Sequence, residues 1–207
     1  MEEYITILGE SVAEYTEKRS RFIATARHCE TEEEALSFIE EMRSKYWDAR
    51  HNVYAYSVGN SSRFSDDGEP HGTAGKPMLD VIKGEEITDV AVVVTRYFGG
   101  VLLGTGGLVR AYSKATKDAI KEAQKAQMIP CIVYETRCEY SEHQKLMYLL
   151  ENSGAEIENT EFGADVAVQF SLKTEDTEKF LKSLSETFSA RIAAEEQCRK
   201  VTAFKIN

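Results

Sequence analysis

The chain has 207 residues, enough for one large domain or two small ones, each able to bury a core. Its composition, 42% hydrophobic, 29% charged and 10% aromatic, is that of an ordinary soluble globular protein. The net charge of −10 divides evenly: residues 1–134 carry 16 Lys/Arg against 21 Asp/Glu, and the remainder 9 against 14, which is −5 for each. Neither half has the basic character of a protein that coats nucleic acid without specificity.

No apolar run approaches the roughly 20 residues of a membrane helix, and the acidic start MEEYITILGE lacks the pattern of a signal peptide. Cys29, Cys131, Cys138 and Cys198 lie far apart with no C-x-x-C pair, which favours reduced thiols over disulfides or a zinc site. The expectation is a cytoplasmic protein with no membrane partner.

In chain order, Tyr4–Leu8, Val12–Tyr15 and Arg21–Arg27 read as strands. Thr31 opens a helix through a Thr31-x-x-Glu34 capping box, with an apolar face at Ala35, Ile39, Met42 and Tyr46. Val53–Val58 reads as a strand, and Lys76–Lys83 as a short helix after a polar loop. Ile87–Tyr97 contains VAVVV, the continuous apolar run expected of a strand covered on both faces. Thr105 to about Lys125 is the clearest helix, its small-residue stripe at Leu108, Ala111, Ala115, Ala119 and Ala123 suited to close packing on a sheet.

A second pattern follows. Pro130–Tyr140 reads as a strand, and Ser141 with Gln144 as a capping box opening a helix that ends near Gly154. Ala155–Phe162 and Val166–Leu172 flank Gly163-Ala164-Asp165 as a hairpin. Thr174 is placed to cap a helix bearing Phe180, Leu181, Leu184 and Phe188, and a last strand runs from Ile192 toward Phe204. The order β-α-β-β-α-β is the ferredoxin-like arrangement.

Chemistry concentrates between His51 and Tyr112, which hold ten of the thirteen glycines and two of the three prolines. Gly99, Gly100, Gly104, Gly106 and Gly107, with Thr105, lie between a buried strand and a helix. Such a junction either presents amide N–H groups and the positive helix end to an anion or provides a tight turn. It is neither a Walker loop nor a G-x-G-x-x-G fingerprint. In RFSDDGEPHGTAGKP, Asp66, Asp67 and Glu69 with His71 could bind Mg²⁺, act as acid and base with His51, or form a hydrogen-bonded scaffold that lends one or two groups to a pocket. The scaffold reading is preferred, with no dedicated metal site. Arg21, Arg96, Tyr97 and Arg110 suit a phosphate with a stacked base, or else pair with the nearby carboxylates.

At these motifs the sequence closely resembles the IMPACT family. The resemblance rests on SRFIA (Ser20 to Ala24), HNVYAY (His51 to Tyr56), FSDDGEPHGTAGKPML (Phe64 to Leu79) and TRYFGGVLLGTGGLVRAY (Thr95 to Tyr112). It implies an α+β protein whose N-terminal domain (1–134) is like domain two of ribosomal protein S5. The C-terminal ferredoxin-like domain (135–207) is then like the last domain of elongation factor G. It further implies translation regulation with a stress-response setting, and RNA, the ribosome or a translation factor as partner of a phosphate-facing cleft. The alternative is an enzyme acting on a phosphorylated or nucleotide-like small molecule.

Overall fold

A computed structural model describes residues 3–206, the side chain of Lys205 excepted. The chain divides into two compact units, one formed by Tyr4–Gln127 with 204–206 and the other by Met128–Ala203 with Glu3.

The first unit contains β1 (Tyr4–Leu8), β2 (Glu10–Glu17), β3 (Ser20–His28), α1 (Glu32–Lys45), β4 (His51–Val58), β5 (Ser61–Ser65), α2 (Gly75–Gly84), β6 (Val90–Tyr97) and α3 (Thr105–Glu122). Its antiparallel sheet has the order β2-β3-β6-β4-β5. The central β6 explains the architecture, because alternate residues of a strand face opposite sides. Val90, Val92 and Val94 join a core with Met78 and Ile82 of α2 and Ala111, Tyr112, Ala115 and Ala119 of α3. Ala91 and Val93 join a separate core with Phe38, Ile39 and Met42 of α1. The sheet is thus sandwiched between α1 and the α2–α3 pair, as the VAVVV run requires. Burying each of Phe38, Ile39 and Met42 is worth roughly 1.5–3 kcal/mol. The small-residue stripe of α3 lets its backbone approach β2, where the Ser11 hydroxyl donates to the Ala119 carbonyl at 2.7 Å.

The second unit is carried by β7 (Gln124–Cys138), α4 (Tyr140–Asn152), β8 (Glu156–Phe162), β9 (Val166–Lys173), α5 (Thr177–Thr187) and β10 (Ala194–Lys205). Its strands lie in the order β10-β7-β9-β8, the 4-1-3-2 arrangement of a ferredoxin-like sheet. Val166, Val168, Phe170 and Leu172 of β9 face Leu146 and Leu150 of α4 and Phe180 and Leu184 of α5 in one core.

Local differences from the sequence reading have physical causes. The hairpin strand β5 is a polar edge strand whose SSRFS sequence carries no apolar alternation. Ala123 continues the helical stripe, but its backbone is extended (ψ 144°), so α3 stops at Glu122. β7 then begins at Gln124, with Ala126 and Met128 alternating inward, and runs unbroken through the expected boundary at residue 134. The α4 cap is set by Glu139 and Glu142, the Glu142 carboxylate accepting from the Glu139 N–H, rather than by Ser141 and Gln144. Thr174–Asp176 forms a 3₁₀ turn before α5. All four cysteines are free, and among the described residues no helix is long and apolar enough to cross a membrane. Burial pushes the Cys29 thiol up to about 11.

Candidate functional site

Strand register assembles the core of the site. His51, the first residue of β4, and Phe22 of β3 are both cross-strand partners of Arg96 near the end of β6. Arg96 continues the even-numbered face of β6 toward α3 and is 5% exposed. A buried guanidinium needs a counter-charge. Glu69, itself 8% exposed, supplies it from the loop between β5 and α2, with Nη1 of Arg96 donating to Oε1 at 2.5 Å. The Tyr112 hydroxyl of α3 donates to the same oxygen at 2.8 Å. Burial first, and then the Glu69 charge, hold the Tyr112 phenol neutral far above its ordinary range. Tyr112 also meets Phe22 edge-on at 5.2 Å, and the Arg96 guanidinium lies over Phe22 and Phe98 at 5.5 and 5.6 Å.

This polar cluster is not closed. The Arg96 Nε is buried with no hydrogen-bond partner among the described residues. His51 is 8% exposed, and its Nδ1 lies 2.8 Å from the Asp67 carbonyl oxygen. A carbonyl accepts only, so Nδ1 carries a hydrogen, and Nε2 is left without a hydrogen-bond partner. That nitrogen faces the Glu69 carboxylate at 3.9 Å, too far for a hydrogen bond.

The start of α3 completes the site. Its N-cap is Gly104 (φ 72°), no side chain caps it, and its first turn contains no acidic residue. The first helical bond runs from the Leu108 N–H to the Gly104 carbonyl at 2.9 Å, so the amides of Thr105, Gly106 and Gly107 point out of the helix end without helical partners. His51, Glu69, Arg96, Gly104, Thr105 and Leu108 line one cavity of about 380 Å³ with Arg50, Gly68, Pro70, Phe98, Leu102 and Leu103. Arg50 forms no ion pair among the described residues, and Leu102 at the rim is 82% exposed. A larger depression of about 480 Å³ lies at the far end of α3, but its Lys117 and Lys125 are paired with Glu85, at 3.7 and 2.9 Å, and it holds no buried cation.

Several residues singled out from the sequence lie elsewhere, for identifiable reasons. Asp66 is committed to the backbone, accepting from Gly72, Ala74 and Gly75 N–H at 2.8, 3.2 and 2.8 Å and so capping α2. Asp67 accepts from the Asn52 N–H at 2.6 Å. Both carboxylates thus brace the loop, in keeping with the scaffold reading. The His71 side chain is fully exposed, 3.7 Å from Asp66 and outside the cavity. Arg21 is exposed and bound bidentately by Glu14 at 2.7 and 2.8 Å. The Tyr97 hydroxyl donates to Asp48 at 2.8 Å. Gly99 is glycine because a Cβ there would sit 2.0 Å from the Arg19 backbone, and neither it nor Gly100 lines the cavity. Arg110 is exposed over the first turn of α3, its Nη1 3.6 Å from where a Gly106 Cβ would stand. Among the described residues, no three His, Cys, Asp or Glu side chains form a group able to hold a metal ion. Sequence reasoning missed Arg50, Leu102 and Tyr112. The apolar residues of FGGVLLG, which belong to no strand or helix, were the available signal.

Residues 18–120 match the model of the Impact N-terminal domain, and residues 136–191 match a domain of unknown function, DUF1949. An IMPACT family member from Haemophilus influenzae is 35% identical over 197 residues, covering 93% of this chain and 96% of that one. The Escherichia coli IMPACT family member YigZ is 37% identical, covering 82% of this chain and 85% of its own. A solved structure described as that of a hypothetical protein superposes with a TM-score of 0.62 at 33% identity, covering 94% of this chain and 97% of its own. The motifs, the fold and these likenesses agree, and the chain belongs to the IMPACT family.

Proposed function

We propose that this chain is a translation-associated binding protein that engages RNA through the cleft of its first unit. The observation that carries the reading is the meeting, in one cavity, of a buried arginine, a buried histidine with an unbonded Nε2 and a helix N-terminus that no side chain caps. Fixed donors and a positive helix end of this kind favour a phosphate oxygen. Family membership supplies the translation setting. The acidic balance of the chain confines the interaction to this local patch.

The test is fluorescence anisotropy of a short single-stranded RNA with the full chain at low salt, beside co-sedimentation with ribosomes. Binding is expected to weaken with salt at a log–log slope of about −0.7, the signature of one neutralised phosphate on a single strand. Arg50→Ala and Thr105→Glu are expected to weaken it. Absence of binding to RNA and ribosomes at low salt would overturn the reading.

One observation favours a second reading, an enzyme acting on a phosphorylated small molecule. The Asp67 carbonyl fixes the His51 tautomer and aims a basic Nε2 at the cavity, as a general base requires. A thermal-shift screen of nucleotides and phosphates, with and without Mg²⁺, separates the two readings. Stabilisation by a single small ligand, lost in His51→Gln, supports the enzyme, and a flat screen counts against it.

A further inference from the structure

Resting on the RNA reading, we infer that Glu69, with His51, binds the 2′-hydroxyl of a ribose, so that the cleft reads the sugar as well as the phosphate. The cavity brings together donors and an acceptor. The donors are the α3 amides without helical partners and the guanidinium of Arg50. The acceptor is the Glu69 side chain, which is only 4% exposed yet lines the same cavity. Arg96 and Tyr112 both donate to its Oε1, and its Oε2 accepts from no described residue. The Arg96 Nε is sealed in protein without a partner, whereas Glu69 Oε2 is not sealed and so is reachable from the cavity. A carboxylate repels a phosphate and accepts from a neutral donor. The phosphate of a bound strand therefore belongs at the α3 end, and what meets Glu69 is an O–H or N–H of the same nucleotide.

His51 narrows that group to a hydroxyl. Its Nε2 lies 3.9 Å from Glu69 Oε1 and has no hydrogen-bond partner. That nitrogen bears a hydrogen when the ring is charged and is bare when the ring is neutral. An amino group only donates, so beside this pair it suits the neutral ring alone. A hydroxyl donates and accepts at once, and it suits both states. It can give its hydrogen to Glu69 while accepting from Nε2–H, or give it to a bare Nε2. In a nucleic acid, the hydroxyl carried next to every internal phosphate is the ribose 2′-OH, the group by which a protein tells RNA from DNA. Dinucleotide-binding folds combine the same two elements, a phosphate at a helix N-terminus and a carboxylate on the ribose hydroxyl.

The experiment measures the full chain binding one short oligoadenylate made as RNA, as DNA and as 2′-fluoro RNA, with AMP as competitor. The 2′-fluoro strand keeps the ribose-like sugar pucker and lacks the O–H. The RNA strand is expected to bind about tenfold tighter than either of the others, the effect of one hydrogen bond to a charged group. Glu69→Gln removes the charge and is expected to bring that preference to about threefold or less, because a neutral hydrogen bond is about half as strong. Circular dichroism confirms that the variant folds, and the strand series on the unaltered chain decides the matter even where it does not. Equal affinity for the three strands overturns the inference and leaves RNA binding standing. A 2′-fluoro strand that binds as tightly as RNA assigns the preference to strand shape and overturns it too, as does a folded Glu69→Gln that keeps the full preference. Failure of every strand to bind, or AMP competing at the affinity of the RNA strand, overturns the RNA reading and the inference with it.

Discussion

Two glycine-rich loops enter helices at the same end of the first unit, and their helices start in opposite electrostatic states. The loop before α2 folds a carboxylate back onto its own backbone, so Asp66 occupies the amides of Ala74 and Gly75. The loop before α3 has no such residue: the amides of Thr105, Gly106 and Gly107 have no helical partner, and Gly104 and Thr105 line a cavity. Glycine content is alike in both. What differs is whether the loop supplies its own anion, and only a helix start without one can take an anion from outside.

The comparison can be broken at either loop, and the largest effect belongs to Glu69. It comes from the self-satisfied loop but pairs with Arg96 near the end of β6, the strand that leads into the open one. Glu69→Ala leaves a buried guanidinium without its charge partner and is expected to cost about 3–5 kcal/mol in urea unfolding. Asp66→Ala uncaps α2 and is expected to cost about 1–2 kcal/mol. Tyr112→Phe removes one hydrogen bond to Glu69, at about 0.5–1.5 kcal/mol. Its pH dependence is more informative than its size. Burial holds the folded phenol neutral, while the unfolded phenol ionises near pH 10. The stability contributed by neutral Tyr112 is therefore complete below pH 10 and is lost as the pH rises above it, a decline that Tyr112→Phe makes shallower.

Smaller effects sharpen the contrast. Thr105→Glu gives α3 the anion that α2 already has and is expected to raise stability by about 0.3–1 kcal/mol while weakening RNA binding. A gain in stability with a loss of binding separates a functional helix end from a merely tolerated one. Arg21→Ala breaks an exposed ion pair with Glu14 outside the cleft and is expected to leave both unfolding and RNA binding unchanged.

Much of the fold is legible in the sequence because its signals are periodic. VAVVV announces a strand buried on both faces, the small residues of α3 announce a helix against a sheet, and Val166, Val168, Phe170 and Leu172 alternate as a half-buried strand must. The strand β5 has no such period, and its sequence alone reads as loop. The site is legible as a region but not residue by residue. That His51 stands opposite Arg96 depends on strand register, which local sequence does not carry. The scaffold reading of the carboxylate loop is legible in sequence, but only tertiary structure shows which amides Asp66 and Asp67 accept from. Glu69, two positions on, faces inward and meets the arginine.

The central claim, that the start of α3 is the open anion site and the start of α2 is not, can be tested by an amide-resolved NMR titration of the full chain with inorganic phosphate. Saturable shifts are expected at Thr105, Gly106 and Gly107, with Ala74 and Gly75 unmoved. Shifts centred on Ala74 and Gly75, or none at the three α3 amides, would contradict it.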